Sequence, residues 1–372
     1  MAVKIIPERI REARESVGMT DEQFAEAIGV SRQAVGTYET GAFSPRGEVL
    51  SKIIAVSRQP PGFFTTPRKH NAERFLTPTW RSLKRMQRPD RLRVARRLEW
   101  AFYVAKSLAE YVELPPVHMP AIEFDYERDG NERIEEITDQ LREFWNAGFG
   151  PITDLTPLLE YNGVVVVEEP VRCEDMDAVS RWQGGRPYVL HAADQESNSR
   201  KLFNLAHELG HLVLHNGVEV NSRNLDRLEN QANRFAGAFL MPRRTFAREI
   251  ANTTIDYFLS LKGRWRVAVA AMIYRCKELG ILNADQVKYM WKQMNTRGIR
   301  KREPLDNAFA LSKPTVLGSA AQMLIDSKIK LPAEIAEDVL INAADVESLC
   351  SLRAGTLENK VLTFPTLVNR TS

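Results

Sequence analysis

The sequence predicts a multidomain, mainly α-helical protein with an all-α helical segment at the N-terminus and an α+β domain in the middle. Three observations predict it. Helical 3.6-residue periodicity recurs along most of the chain, a series of short helices separated by glycine turns opens it, and β-rich runs at residues 164–167 and 188–191 interrupt the helical pattern between helices. At 372 residues the chain exceeds one ordinary domain, and 44% hydrophobic with 27% charged residues excludes a disordered or fibrous protein. The expected divisions are a helix-turn-helix at 1–66, a basic helical connector at 67–120, the α+β domain with a helical extension at 121–304, and a C-terminal helical region at 305–372.

In the first segment, Ile10, Ala13 and Val17 recur at helical spacing up to Gly18. Thr20 then caps a second helix with Asp21 and Glu22 in its first turn, and Phe24, Ala25 and Ile28 form its apolar stripe. Gly29 supplies a tight turn, and Ser31 caps a third helix that runs to Gly41. This spacing fits a helix-turn-helix and a plain helical bundle equally. The run from Met19 to Gly41, MTDEQFAEAIGVSRQAVGTYETG, resembles the XRE family of phage-repressor-like regulators. The resemblance implies binding to operator-type double-stranded DNA, a role with which a homodimer is compatible. It makes Phe24, Ala25, Ile28, Val30 and Val35 core positions, and it turns Arg32, Gln33 and Thr37, beside Ser31, toward the major groove, where Gln pairs with adenine and Arg with guanine. Asp21 departs from the family's usual Gln, and Gly36 lowers the intrinsic stability of the third helix.

The net charge of +3 does not by itself call for a nucleic-acid partner. Its distribution is uneven: residues 68–97 hold eleven basic residues against two acidic ones, Glu73 and Asp90. Such a cluster either extends a phosphate-contacting surface or is a solvated helix face pairing with acidic neighbours. Leu92, Ala95, Leu98, Phe102, Ala105, Leu108 and Tyr111 then mark one long amphipathic helix, ended by Pro115 and Pro116. Cys173, Cys276 and Cys350 lack the spacing of a zinc knuckle or redox pair and read as reduced thiols. With neither a leader-like apolar run nor a stretch long enough to cross a bilayer, the expected location is the cytoplasm, without membrane attachment.

In the α+β region, Ile134, Ile137, Leu141 and Trp145 mark a helix, another is expected at 155–161, and Gly163 precedes the first strand. The most informative stretch follows: His207-Glu208-Leu209-Gly210-His211, inside an otherwise apolar helix. Residues four apart share a helix face, so both imidazoles can reach one ion, and Glu208 sits beside them as a general base. The metzincin pattern fails because Gly217 stands where its third histidine belongs. His215 continues the row, but three histidines along one helix converge poorly on a tetrahedral ion, which favours a supporting or core role. A second helix at 224–240 carries Glu229 and Asn233 four apart; Glu229 is the expected third ligand, Asp226 the next choice, and Asn233 a support for the ligands. Arg200, Tyr188 and His215 remain alternative oxyanion donors.

The blocks LREFW, LLEYNGVVV, DAVSRWQGGRPYV, SRKLFNLAHELGHLVLH and ENQANRFAGAFLMP, in order across residues 134–242, resemble the ImmA/IrrE family of metallopeptidases. The resemblance implies a zincin-like domain with Zn2+ on His207, His211 and Glu229; Gln231 stands where relatives are often acidic. It also implies that residues 188–190 form the strand edge to which a peptide substrate adds. The combined expectation is a DNA-binding regulator with a zinc endopeptidase that cleaves a repressor-type partner in a phage, mobile-element or stress response. A metal-fold sensor without strong peptidase activity, and the toxin of a toxin–antitoxin pair, are the other readings. Chains that fuse these two domains also look similar as far as residue 304. Beyond it, helices at 332–339 and 343–352 are expected to serve packing or partner binding.

Overall fold

A computed structural model describes residues 4–69, 87–170, 177–194 and 197–358. Five short helices open the chain: α1 Pro7–Ser16, α2 Asp21–Ile28, α3 Arg32–Thr40, α4 Gly47–Ser57 and α5 Pro61–Thr65. Thr20 starts α2 with a reciprocal capping box, its hydroxyl accepting from the Gln23 N–H at 3.1 Å while Gln23 Oε1 accepts from the Thr20 N–H at 2.9 Å. Gly29, at φ 73°, ends α2 in the left-handed region, and Ser31 Oγ accepts from the Ala34 N–H to start α3. Phe24, Ile28, Val35 and Ile53 are buried where these helices meet. Gly41 has no substitute: at φ 79°, an added Cβ would lie 2.8 Å from Pro7 Cγ.

The long helix α6, Arg88–Leu108, ends before Tyr111, the last residue of the expected stripe, and is not amphipathic in its second half. Residues 100–105 are buried without interruption, because other elements surround α6. Phe63 of α5 packs edge-on to Trp100 on one side, and Tyr188 packs edge-on to Phe102 on another. The C-terminal helices α15 Val316–Asp326, α16 Pro332–Val339 and α17 Ala343–Leu349 close the remainder.

The basic cluster requires a correction. Arg68 pairs with Glu12 at 2.7 Å, Arg96 with Glu15 at 2.7 Å and Glu99 at 2.5 Å, and Arg97 with Asp345 at 2.6 Å. These three cations are buried or half-buried and taken by carboxylates, so they offer no phosphate-contacting surface; the expected pairing with acidic neighbours holds for them, on a packed rather than a solvated face, while Lys69 and Arg88 are exposed. Arg74, Arg81, Lys84 and Arg85, like Cys173, lie outside the described residues. Cys276 and Cys350 are buried free thiols, and burial pushes both up to about 12.

Next come α7 Asn131–Phe144, α8 Thr156–Tyr161 and the strands β1 Val165–Glu169, β2 Ala178–Gln183 and β3 Arg186–Ala192. The sheet order is β1-β3-β2, with β3 parallel to β1 and antiparallel to β2. β3 therefore lies in the centre of the sheet, and residues 188–190 cannot offer an edge to a substrate. The strand that sequence periodicity missed, β2, occupies one edge, and β1 the other. Its signal was the Gly184-Gly185 pair, both residues at positive φ, which is the two-residue turn of a tight hairpin. Val165, Val167, Val179, Tyr188 and Leu190 face α6, whereas Val164, Val166 and Val189 face a second core.

That second core is built on α9 Asn198–Leu214, α10 Leu225–Leu240, α11 Arg243–Glu249, α12 Ile255–Trp265, α13 Val269–Glu278 and α14 Ala284–Thr296. Polar clamps join its periphery to the rest. Glu160 of α8 accepts from the Thr315 and Val316 N–H groups at 2.9–3.1 Å, which satisfies orphan donors at the start of α15. Gln59, just beyond α4, donates to Asp345 of α17 at 2.8 Å. Among the described residues no helix is long and apolar enough to cross a membrane.

Candidate metal centre and DNA-reading helix

The metal-ligand candidates sit on two packed neighbours, α9 and α10, and Gly210 sets how closely these approach. A Cβ there would stand 3.1 Å from Phe235 Cβ and Cδ1, so a side chain would push the helices apart. With glycine in place, His207, His211 and Glu229 converge, and one ligating atom from each lies within 4.8 Å of the others. His207 Nε2 and His211 Nε2 are 3.0 Å apart, and Glu229 oxygens lie 3.5 and 3.6 Å from them. Asp226 is exposed and is not part of this group.

The surrounding hydrogen bonds dictate where the imidazole protons sit. Gln231 Nε2 donates to the Tyr126 carbonyl at 2.9 Å, which turns Gln231 Oε1 toward His215 Nε2 at 3.1 Å. A carbonyl oxygen only accepts, so His215 carries its proton on Nε2 and presents a bare Nδ1. His211 Nδ1, 3.0 Å away, must then donate to it, and His211 Nε2 is left bare. On the other imidazole, His207 Nδ1 donates to Asn233 Oδ1 at 3.0 Å, so His207 Nε2 is bare as well. Burial keeps His211 and His215 uncharged, pulling them down to about 3 and about 4, so neither gains a second proton at neutral pH.

Two nitrogen lone pairs and a carboxylate thus face one point. A zinc site with donors about 2.1 Å from the ion places neighbouring donors about 3.4 Å apart, and the observed separations of 3.0, 3.5 and 3.6 Å bracket that value. The donor set fits a divalent cation. Although burial opposes it, the two imidazoles hold Glu229 well below the usual carboxylate range, so it remains an anion. His207 is raised: burial opposes a positive charge, but Glu229, Glu208 and Asn233 outweigh it.

Glu208 is 4% exposed, and its Oε2 has no hydrogen-bond partner among the described residues. Burial pushes this carboxyl up to about 7, against the opposing pull of His207 and Ser180. Ser180 of β2 donates to the Glu208 carbonyl at 3.3 Å and Trp182 donates to the Leu212 carbonyl at 2.9 Å, so this edge strand is fixed along the histidine-bearing helix. Neither Ser180 nor Trp182 was singled out from sequence.

Tyr188 is displaced from its expected place. It is 3% exposed and points through the far face of the sheet onto Phe102, because alternation along β3 sends residues 188 and 190 away from α9. It is not an oxyanion donor in this arrangement. Arg200 lies exposed near the start of α9 and donates to the Lys301 carbonyl at 2.8 Å, and His215 is occupied behind His211.

On the N-terminal helices, Arg32 and Gln33 are exposed at the first turn of α3. Arg32 is paired with Glu22 at 2.8 Å, but the two side chains are 66% and 61% exposed, so the pair is weak and readily exchanged. The Ser31 and Thr37 hydroxyls are engaged within α3, Ser31 accepting from Ala34 N–H and Thr37 donating to the Ala34 carbonyl. Helix α3 is held from behind by Glu39, whose carboxylate takes Arg14 Nε at 2.6 Å and Arg14 Nη2 at 3.0 Å.

Comparison with known families bears on the two domains that carry these residues. Residues 159–277 match the family model of the IrrE N-terminal-like domain, a peptidase family, and residues 10–56 match a helix-turn-helix model. The chain joins a helix-turn-helix to an IrrE-like, metallopeptidase-type domain. The IrrE-like match spans α9 and α10, and the helix-turn-helix match spans α2 and α3. No curated protein matches the chain.

Proposed function

We propose that this is a DNA-binding regulator with a zinc-dependent endopeptidase site that cleaves a protein partner of the repressor type in the cytoplasm. The observation that carries the reading is the convergence of His207, His211 and Glu229 beside the buried, unpartnered Glu208 Oε2. When bound, zinc supplies the Lewis acidity that polarises a scissile carbonyl and acidifies water. The His215–Gln231 pair keeps His211 in the ligating tautomer, and Asn233 does the same for His207. Glu208 Oε2, buried and without a hydrogen-bond partner among the described residues, takes the proton of the attacking water and returns it to the leaving amine. The substrate chain adds alongside β2, the edge strand beside α9, rather than β3.

At the other end, Arg32 and Gln33 read base edges in the major groove while Ser31 and Thr37 shape the helix that presents them. Each of Arg32→Ala and Gln33→Ala is expected to weaken binding to a selected operator by about 1–3 kcal/mol and to relax preference at one base position. Selection from random duplexes followed by gel shift measures both effects.

The peptidase reading is tested by expressing wild-type and Glu208→Gln chains in cells and comparing new protein N-termini by mass spectrometry. Termini made by the wild type and missing with the variant are expected, with zinc content equal in the two proteins. Identical termini from both would remove proteolysis as the function.

A further inference from the structure

Beside the metal-ligand group lies a cleft of about 810 Å³, walled by α9, α10 and α13. It continues the same helix faces that carry the ligands. On α9, Arg200, Asn204, His207 and His211 succeed one another at three- and four-residue intervals, and on α10 Asn233 lines the cleft while accepting from His207. A chain lying across the histidines therefore enters this space on one side of the reacting bond. The volume falls within the range of ligand-binding clefts, and half-exposed Tyr274 adds an aromatic wall.

The charges in the cleft divide into spent and unspent. Arg275 holds Glu135 through two contacts of 2.5 and 2.6 Å, and Arg234 holds Glu135 at 2.6 Å and Glu278 at 3.6 Å, so these four groups neutralise one another. Arg200 and Lys277 are exposed and have no carboxylate partner among the described residues; Arg200 meets only the Lys301 carbonyl. Asn204 and Asn233 supply amides for a peptide backbone.

We infer that this cleft is a substrate subsite that holds the peptide on one side of the scissile bond and selects an acidic side chain through Arg200 and Lys277. The inference rests on the peptidase reading for its substrate class, but its test reads binding rather than cleavage. The probes are two fluorescein-labelled peptides of equal length, one with Asp and Glu at alternating positions and one with Asn and Gln at the same positions. Anisotropy titrations use the full chain carrying Glu208→Gln, loaded with zinc. The acidic peptide should bind roughly tenfold more tightly. Lys277→Glu should reduce that preference, Lys277→Glu with Arg200→Glu should erase it, and Lys313→Glu, at an exposed lysine outside the cleft, should leave it intact. Equal binding of the two peptides, or a preference that survives the double reversal or disappears with Lys313→Glu, overturns the subsite. A wild-type protein that makes no cuts in a proteome-derived peptide mixture counts against the peptidase reading alone, because the binding comparison still decides the cleft.

Discussion

His215 and Gln231 touch no substrate in the proposed mechanism, yet they determine which nitrogen of His211 is available. Replacing His215 with alanine removes the acceptor for His211 Nδ1 and leaves a buried imidazole free to adopt the wrong tautomer. The expected outcome is a 10- to 100-fold loss of zinc affinity, measured by competition with a chromophoric chelator. Gln231→Leu, which removes the fixed carbonyl acceptor while keeping approximate volume, should give a smaller loss in the same direction. The paired imidazoles and Glu229 could be singled out from spacing because helical geometry alone sends residues four apart to one face. The relay was hidden, since its direction depends on the Tyr126 carbonyl, which comes from a loop more than a hundred residues away in sequence. Tyr188 was misjudged for a related reason: a strand residue's face depends on register with its neighbours, and that register was unknown until β2 was paired.

The α9–α10 pair depends on the absence of a side chain at Gly210. Gly210→Val would set new methyl groups against the Phe235 ring and separate the helices. Despite the better helix propensity of most residues over glycine, destabilisation of about 1–3 kcal/mol is expected. Zinc affinity should fall with it, because Glu229 moves with α10; thermal melts with and without zinc separate the two effects. Helix α6 makes the opposite point about reading elements from sequence. Its apolar stripe was legible, but the burial of Trp100, Tyr103 and Val104 off that stripe was not, since helices from both ends of the chain pack around it, with Phe63 and Glu12 on Trp100 and Arg68 over Tyr103. Likewise, sequence left two readings open for Arg68, Arg96 and Arg97 because it displays charge without displaying which carboxylates fold onto it.

Across the molecule, buried charge joins distant parts of the chain. Glu135 links α7 to α10 and α13, and although burial raises its pKa, Arg275 and Arg234 outweigh this and hold it below its ordinary 4.5. A carboxylate lowered in this way stabilises the fold fully above 4.5, and the contribution is lost as pH falls through the lower folded value. Glu135→Gln should therefore cost about 3 kcal/mol at neutral pH, where it leaves Arg275 and Arg234 with Glu278 as their one shared carboxylate among the described residues, and the gap from wild type should narrow in acid. Urea titrations at several pH values measure both. Arg97, which lies between Glu169 of the sheet and Asp345 of α17, is a similar node, and Arg97→Leu should loosen the C-terminal helices together with α6.

The hydrophobic cluster that begins at Ile10 runs without a break through Phe63, Trp100 and Tyr188 to Leu349. An apolar seam of that extent, among the described residues, opposes independent swinging of the helix-turn-helix end. A dye attached near Phe43 should consequently lose its polarisation with a single slow rotational time, that of the entire particle, and, on the proposed function, any event at the metal-ligand group that reaches bound DNA must do so by tilting or detaching the whole body.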